Sequence, residues 1–294
     1  MIHYSTCPVC KSGYINTSFA ATDFTVSKEQ FIICECVTCT LRFTQDVPEQ
    51  ASIGQYYQSN QYISHSDSKK GVIHKLYHRV RGITLTLKRK LVEKNASVSK
   101  GNLLDIGSGT GAFLNAMKLA GWTVTGLEPD ETAREKSFEL HGIAPSLPAQ
   151  LFSMKPHSYD VVSMWHVLEH VHELHAYIEQ IKTILKQSGI LLIAVPNYTS
   201  FDATFYKEQW AAYDVPRHLY HFSPKSMRRL LQQHGLVIKA IQPMWFDSFY
   251  VSLLSEQYQQ GSMIRAFLVG FFSNVKALFK WNQCSSLIYI VTKG

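Results

Sequence analysis

Apolar positions along this chain change period several times, and each change marks an element. Residues 103–106 form a short apolar run, glycines follow, 113–119 carry apolar residues at helical spacing, and 122–127 return to a strand-like run. Apolar runs at 159–164 and 189–195 enclose a helical pattern from about 173 to 186. Strands alternating with helices predict a parallel sheet whose ligand site lies beyond the carboxyl ends of its strands. Two further strands, 237–241 and 287–291, are separated by a connection, 244–283, that is long for such a link. Upstream, Ile73, Leu76, Tyr77, Val80, Ile83, Leu87 and Leu91 recur at helical spacing and predict one amphipathic helix over 69–94. Two short strands, 14–19 and 30–33, are expected ahead of it.

Composition agrees with a folded chain. Of 294 residues, 46% are hydrophobic and 17% charged, below the roughly 25% charged content of an average soluble domain. The longest apolar runs, such as 190–195, fall far short of the roughly 20 residues that cross a bilayer as a helix. Residues 1–10 lack the basic and apolar segments of a secretory signal, so a cytoplasmic address is expected. The net charge of +7 is localised: residues 69–94 hold nine basic residues and one acid, leaving −1 for the rest. A basic helix face suits an anionic partner such as RNA, acidic lipid or a phosphorylated substrate, or is simply solvated. Residues 263–281 hold thirteen apolar residues, three basic ones and no acid. That composition suits an interfacial helix touching a membrane or a lipid-like acceptor, or else a lid or dimer surface.

Five of the six cysteines fall within the first 39 residues. CPVC supplies Cys7 and Cys10, and CVTC supplies Cys36 and Cys39. Two such pairs can direct four thiolates at one tetrahedral ion, the pattern of a structural zinc site in a small ribbon. Lys11 and Thr40 stand where a glycine often completes each turn, and Cys34 is a rival ligand. A disulfide framework is disfavoured because no export signal accompanies the cysteines.

The central stretch reads NLLDIGSGTGAFLNAMKLAGWTVTGLEPD. Gly107, Gly109 and Gly111 permit a tight turn close to a ligand, and Glu128 arrives at the carboxyl end of the next strand, where it can accept from both ribose hydroxyls. Gly107, Gly109 and Ala112 also satisfy the dinucleotide pattern, which keeps a nicotinamide oxidoreductase as an alternative. DIGSGTG with GLEPD resembles the cofactor loop of class I S-adenosylmethionine-dependent methyltransferases, and SYDVVSMWHVLEHV resembles that family's fourth strand and its exit. The resemblance spans about 101–195, with 286–292 similar to the final strand. It implies an α/β, doubly wound, Rossmann-like sheet and S-adenosylmethionine as cofactor, with Asp105, Gly107, Ser108, Gly109, Gly111, Glu128, Pro129 and Trp165 around it. GIAPSLPAQL carries no acidic residue, so no adenine contact is assigned.

His166, Glu169 and His170 spell HxxEH, a zinc-peptidase signature in inverted order, yet the motif follows a strand in a methyltransferase-like segment. It also resembles, with His166 in place of an acid, the ExxEH of ubiquinone-pathway O-methyltransferases. WAAYDVPRHLYHFSP gathers Tyr213, Asp214, Arg217, His218 and His221 on one loop, and its PRHL resembles an acceptor-pocket cap in bacterial methyltransferases. His166 and His218 are candidate bases, Trp165 and Tyr213 candidate walls for a cationic donor, and Arg217 a candidate for an anionic acceptor group. The expected organisation is a zinc-ribbon-like head at 1–48, a helical connector at 49–96 and a methyltransferase domain at 97–294 with cap insertions near 197–223 and 244–285. The expected reaction is methyl transfer to a small-molecule, sugar or lipid-like acceptor, the alternative being a zinc-ribbon RNA methyltransferase.

Overall fold

Two sheets organise the computed structural model, which describes residues 1–58 and 72–294, with side chains from 80 onward in the second span. Lys69, Lys70, Lys75, Arg79, Ile73, Leu76 and Tyr77, all part of the expected helix, lie outside the described side chains. The first sheet contains β1 (Ile15–Thr22), β2 (Gln30–Cys36) and β3 (Arg42–Thr44), all antiparallel. Helix α1 (Val72–Asn95) then leads into β4 (Asn102–Ile106), α2 (Ala112–Leu119), β5 (Thr123–Leu127) and α3 (Glu131–His141). The chain continues through β6 (Tyr159–Trp165), α4 (Leu174–Ile184), β7 (Leu185–Pro196) and α5 (Phe201–Tyr206). After β8 (Tyr220–His221) come α6 (Pro224–Gln233), β9 (Leu236–Pro243), α7 (Asp247–Tyr258), α8 (Met263–Phe279) and β10 (Ser286–Lys293).

The second sheet runs β5-β4-β6-β7-β10-β9. Its first four strands are parallel and β10 enters antiparallel to both neighbours. Strand alternation divides its side chains between two helical layers. Leu103, Val161 and Leu192 face Phe113 and Met117 of α2 and Leu91 of α1, whereas Leu104, Val162 and Ile193 face Ile178 of α4 and Leu230 of α6. This is the doubly wound sheet that the strand and helix spacing predicts.

Helix α1 corrects one expectation. Ile83 and Leu87, expected inside, are 44% and 48% exposed, while Lys88, expected outside, turns inward. Among the described side chains, α1 meets the sheet's core through Leu85, Leu91 and Val92, a contact face rotated from the Ile83 and Leu87 side of the stripe marked by the apolar positions.

The N-terminal sheet is completed from far downstream. β8 pairs with β3, Phe43 opposite Tyr220 and Arg42 opposite His221. Thr44 Oγ1 donates to His218 O at 2.7 Å, and the hydroxyls of Thr40 and Ser223 share a hydrogen bond of 2.7 Å. The sheet thus crosses residue 48, the end expected for the head. The cap insertions pack against it and against one another around Asp202, a buried carboxylate that accepts from Trp210 Nε1, Ser273 Oγ and Ser285 Oγ at 2.7–2.8 Å.

Ser223 caps α6 in a reciprocal box with Ser226 and also meets Thr40. Ser223→Ala should lower stability by about 1–2 kcal/mol, a fall of roughly 2–4 °C in Tm readable by calorimetry.

Candidate active site

The carboxyl ends of β4, β5 and β6 converge on one site. Gly107, Gly109 and Gly111 all have positive φ, at 73°, 52° and 75°. A Cβ at Gly107 would lie 2.4 Å from Val167 Cγ2 and one at Gly111 2.2 Å from Ser137 Oγ, whereas at Gly109 it would meet no atom within 4 Å. The outer two glycines are therefore demanded by the protein's own packing, and the middle one presents open backbone. Glu128, at the end of β5, accepts from Gly109 N–H at 2.7 Å and from Asp130 N–H at 3.0 Å. Arg134 donates to the carbonyls of Glu128 and Pro129 at 3.0 and 2.7 Å and fixes that corner. Burial nonetheless raises the Glu128 carboxyl, against those two amides. Ser108 is buried beside the loop with its hydroxyl unpartnered among the described residues.

Below the turn lies a polar track. Asp105 is buried, accepts from Ser163 Oγ at 2.6 Å and is pushed up to about 7 by burial, opposed by that hydroxyl and by Lys88. Lys88 reaches in from α1 to place Nζ 4.3 Å from the centroid of Trp165. Burial lowers its pKa, opposed by Asp105 and Asp247. Trp165 packs edge-on against Phe113, and its Nε1 has no partner among the described residues.

His166 follows Trp165 in the left-handed region, at φ 58°. Its Nε2 lies 2.8 Å from Asp247 of α7 and its Nδ1 3.3 Å from Glu169. Burial would lower its pKa, but the two carboxylates prevail and raise it to about 10. Near neutrality it is thus a cation between two anions. This corrects its expected role as a base.

Residues 168–170 form one 3₁₀ turn, so HxxEH does not lie along a helix, and both nitrogens of His166 are committed to carboxylates. The peptidase reading fails on those grounds. Glu169, His170 and His218 instead converge, with ligand-capable atoms all within 4.8 Å. Nδ1 of His218 bonds Ala212 O at 2.8 Å, that of His170 bonds Arg217 O at 3.0 Å, and Glu169 Oε2 has no partner among the described residues. Burial and then the charge of His218 push His170 down to about 4. Carbonyls that fix Nδ1 leave each Nε2 as an acceptor, and with Glu169 the two rings make a set able to hold a proton or a cation.

Two cap residues do other work than expected. Arg217 is 1% exposed and makes four hydrogen bonds, to Asp214, Asp23 and Tyr56 O, so its charge is met by the protein's own two carboxylates and not by an acceptor anion. Tyr213 is buried in the seam between the head and the cap, packs on Phe19, Trp210 and His221, and accepts from Arg42 at 2.9 Å. It does not wall the crevice. Asp247 and the inward Lys88 are the members that sequence reasoning missed. The nearest signal for Asp247 was its acid in a first helical turn. On α1, Arg81 donates to Thr110 of the glycine turn and Arg89 pairs with Glu93, so with Lys88 three of the five described basic residues between 80 and 94 are engaged within the protein.

The second cluster lies in the head. Cys7, Cys10, Cys36 and Cys39 gather within 4.8 Å, with Sγ pairs at 3.6 Å (Cys7, Cys39) and 3.5 Å (Cys10, Cys36). Four sulfurs at about 2.3 Å from a tetrahedral ion would be about 3.8 Å apart. Each pair closes a turn by an N–H donating to a cysteine carbonyl, Lys11 to Cys7 and Thr40 to Cys36. Lys11 and Thr40 take φ of 61° and 60°, the conformation that glycine adopts most easily. Cys34 stays outside the quartet, two residues back along β2, roughly 7 Å from Cys36.

A family model described as a methyltransferase domain matches residues 74–241. Among curated proteins, a ubiquinone biosynthesis O-methyltransferase of Maricaulis maris is 28% identical over 155 residues, 47% of this chain and 59% of that protein. Its counterpart in Chromobacterium violaceum is 21% identical over 175 residues, 55% of this chain and 75% of that protein. Among solved structures, a SAM-dependent methyltransferase from Archaeoglobus fulgidus superposes with TM-score 0.51 at 19% identity, covering 72% of this chain and 94% of that one. Magnesium protoporphyrin IX methyltransferase from Synechocystis gives 0.55 at 14% identity, covering 84% and 100%. These two structures share the fold.

His166 sets a pH dependence. Its folded value of about 10 lies above the unfolded value of about 6.5, so its pairing stabilises fully below about pH 6.5 and is lost as pH climbs through 10. Asp247 and Glu169 are held low, so their share is lost in acid instead. Urea midpoints should decline from about pH 6.5 to 10, and His166→Gln should flatten the decline. Equal slopes in the two proteins would count against the ion pair.

Proposed function

The matched span covers more than half of the chain, which therefore belongs to the methyltransferase-domain family, and from that premise we propose an S-adenosylmethionine-dependent methyltransferase acting on a small-molecule acceptor. The observation that carries the reading is the Glu128 carboxylate pinned beside the left-handed turn by Gly109 and Asp130. A carboxylate at the end of the second parallel strand suits a ribose, and open backbone at Gly109 suits close approach of the donor. Ser108 Oγ and Trp165 Nε1, both buried and unpartnered among the described residues, are ready for a polar ligand. When bound, S-adenosylmethionine supplies a methyl group on a sulfonium centre for in-line displacement. Lys88 covers one face of Trp165, and the rest of the ring would be what that cation meets; Pro129 borders the same corner. Asp105, held near its own midpoint, accepts or yields a proton at the floor.

The relatives named as O-methyltransferases support an acceptor hydroxyl that must lose a proton. We assign that proton to His218 Nε2, because Nδ1 is committed to Ala212 O. His166, a cation bound to α7, acts as a positioning residue. In the head, the four cysteines fit structural zinc by donor set, spacing and turn geometry. The ion would hold the turns that present Thr40 to Ser223.

S-adenosylmethionine should raise Tm and NAD should not. Glu128→Ala should weaken donor binding about 10- to 100-fold. His218→Ala should preserve donor binding while slowing methyl transfer at least about 100-fold. A crystal with a pyrophosphate over Gly109 would overturn the reading. For the head, atomic emission should find one zinc per chain, and Cys39→Ser should lose it together with several kcal/mol or more of stability. A metal-free native protein of unchanged stability would refute the zinc assignment.

A further inference from the structure

Helix α8 is built with its large apolar residues outward. The positions it buries are small, namely Ala266, Val269, Gly270, Ser273 and Ala277. A Cβ on Gly270 would lie 2.9 Å from Phe249 Cα, so α7 and α8 are in backbone contact. By contrast Ile264, Phe267, Phe271, Phe272, Leu278 and Phe279 are 47–85% exposed. Phe249, Phe267 and Phe271 stack in series, with centroids 5.4 and 6.5 Å apart, and hold part of this face as a plane. The helix and its cap carry no acid; Arg265 is paired with Glu256 of α7, and Lys276 and Lys280 are the remaining cations of this flank.

Apolar surface of this extent on one element needs an occupant. A second copy related by a two-fold axis would bring the same two lysines together with no acid on the helix to meet them. That limit does not apply to a lipid surface, which accepts a shallow apolar face and attracts its basic flank. Trp281, 43% exposed just beyond the helix, is a residue type suited to the headgroup boundary. Among the described residues no helix is long and apolar enough to cross a membrane, so the helix would lie along the surface.

We propose that the outer face of α8 docks this protein onto an anionic bilayer. The proposal does not depend on the donor chemistry. It does bear on the acceptor, because α8 packs on α7, and α7 carries the Asp247 that binds His166 at the site. A docked face would bring the crevice next to the lipid surface and favour an acceptor dissolved in lipid.

The test uses the full chain with vesicles of phosphatidylcholine, alone or with about 30% phosphatidylglycerol, and reads co-sedimentation. Binding should occur on the anionic vesicles and fall with added salt. Phe267→Ser with Phe271→Ser, both at exposed positions, should lower the partition coefficient at least about tenfold with Tm and donor binding unchanged. Lys276→Glu with Lys280→Glu should abolish the preference for anionic vesicles by a separate route. The proposal is overturned if the chain stays in the supernatant at low salt, or if both double variants sediment like the parent. It is equally overturned if ultracentrifugation shows a dimer that Phe267→Ser with Phe271→Ser converts to a monomer. Loss of donor binding in the parent would instead count against the methyltransferase reading and leave docking standing.

Discussion

The Arg217 guanidinium is the joint on which the molecule turns. It lies at 1% exposure between Asp23, in the turn between β1 and β2, and Asp214 of the cap loop, and it also donates to the carbonyl of Tyr56. Three segments distant in sequence thus share one buried cation. Burying such a charge is costly unless every donor finds a partner, and leaving one of its anions unpaired costs about 3–5 kcal/mol. The arrangement is accordingly selective: a slightly displaced cap would strand a charge, so the segments dock in one geometry or not at all. His218 follows Arg217 directly in the chain, so fixing the guanidinium also fixes the imidazole beside Glu169 and His170.

The floor of the candidate site follows the same logic on a smaller scale. Lys88, Asp247, His166 and Glu169 alternate in charge beside Asp105 at the carboxyl ends of the strands, drawn from α1, α7, β4 and the segment after β6. Each group's ionisation depends on its neighbours more than on its own type. A histidine there is a standing cation and an aspartic acid sits near neutrality. A sulfonium donor entering such a row would meet anions already partly compensated, which limits how strongly it is held before reaction.

Much of the sheet was legible in the sequence because its signals are local. The runs at 103–106, 122–127, 159–164 and 189–195 match β4 to β7 to within a few residues, since a buried parallel strand needs a continuous apolar run and a glycine turn needs its glycines. The quartet of cysteines was legible for the same reason, and Lys11 and Thr40 show that glycine is sufficient rather than necessary at the closing position. What local pattern did not carry is pairing across distance. Nothing around Tyr213 or Arg217 announces Arg42 or Asp23 as its partner, and a basic residue such as Lys88 reads as solvent-facing until the helix's true contact face is known. The roles given to Arg217, Tyr213 and His166 failed there, because residue type predicts what a group can do and tertiary contact decides whether it is free to do it.

The pairing of β8 with β3 bears on the order of assembly. Thr44 and His221, which hydrogen-bond across that seam, stand 177 positions apart. At a synthesis rate of about 5–20 residues per second, the first three strands would wait about 10–35 s for the fourth. Through that interval β3 keeps an open edge able to accept a stray strand. Four thiolates that gripped an ion early would shorten the exposure by locking the leading hairpin in register, and an ion held there would then serve the birth of the chain as well as its finished form.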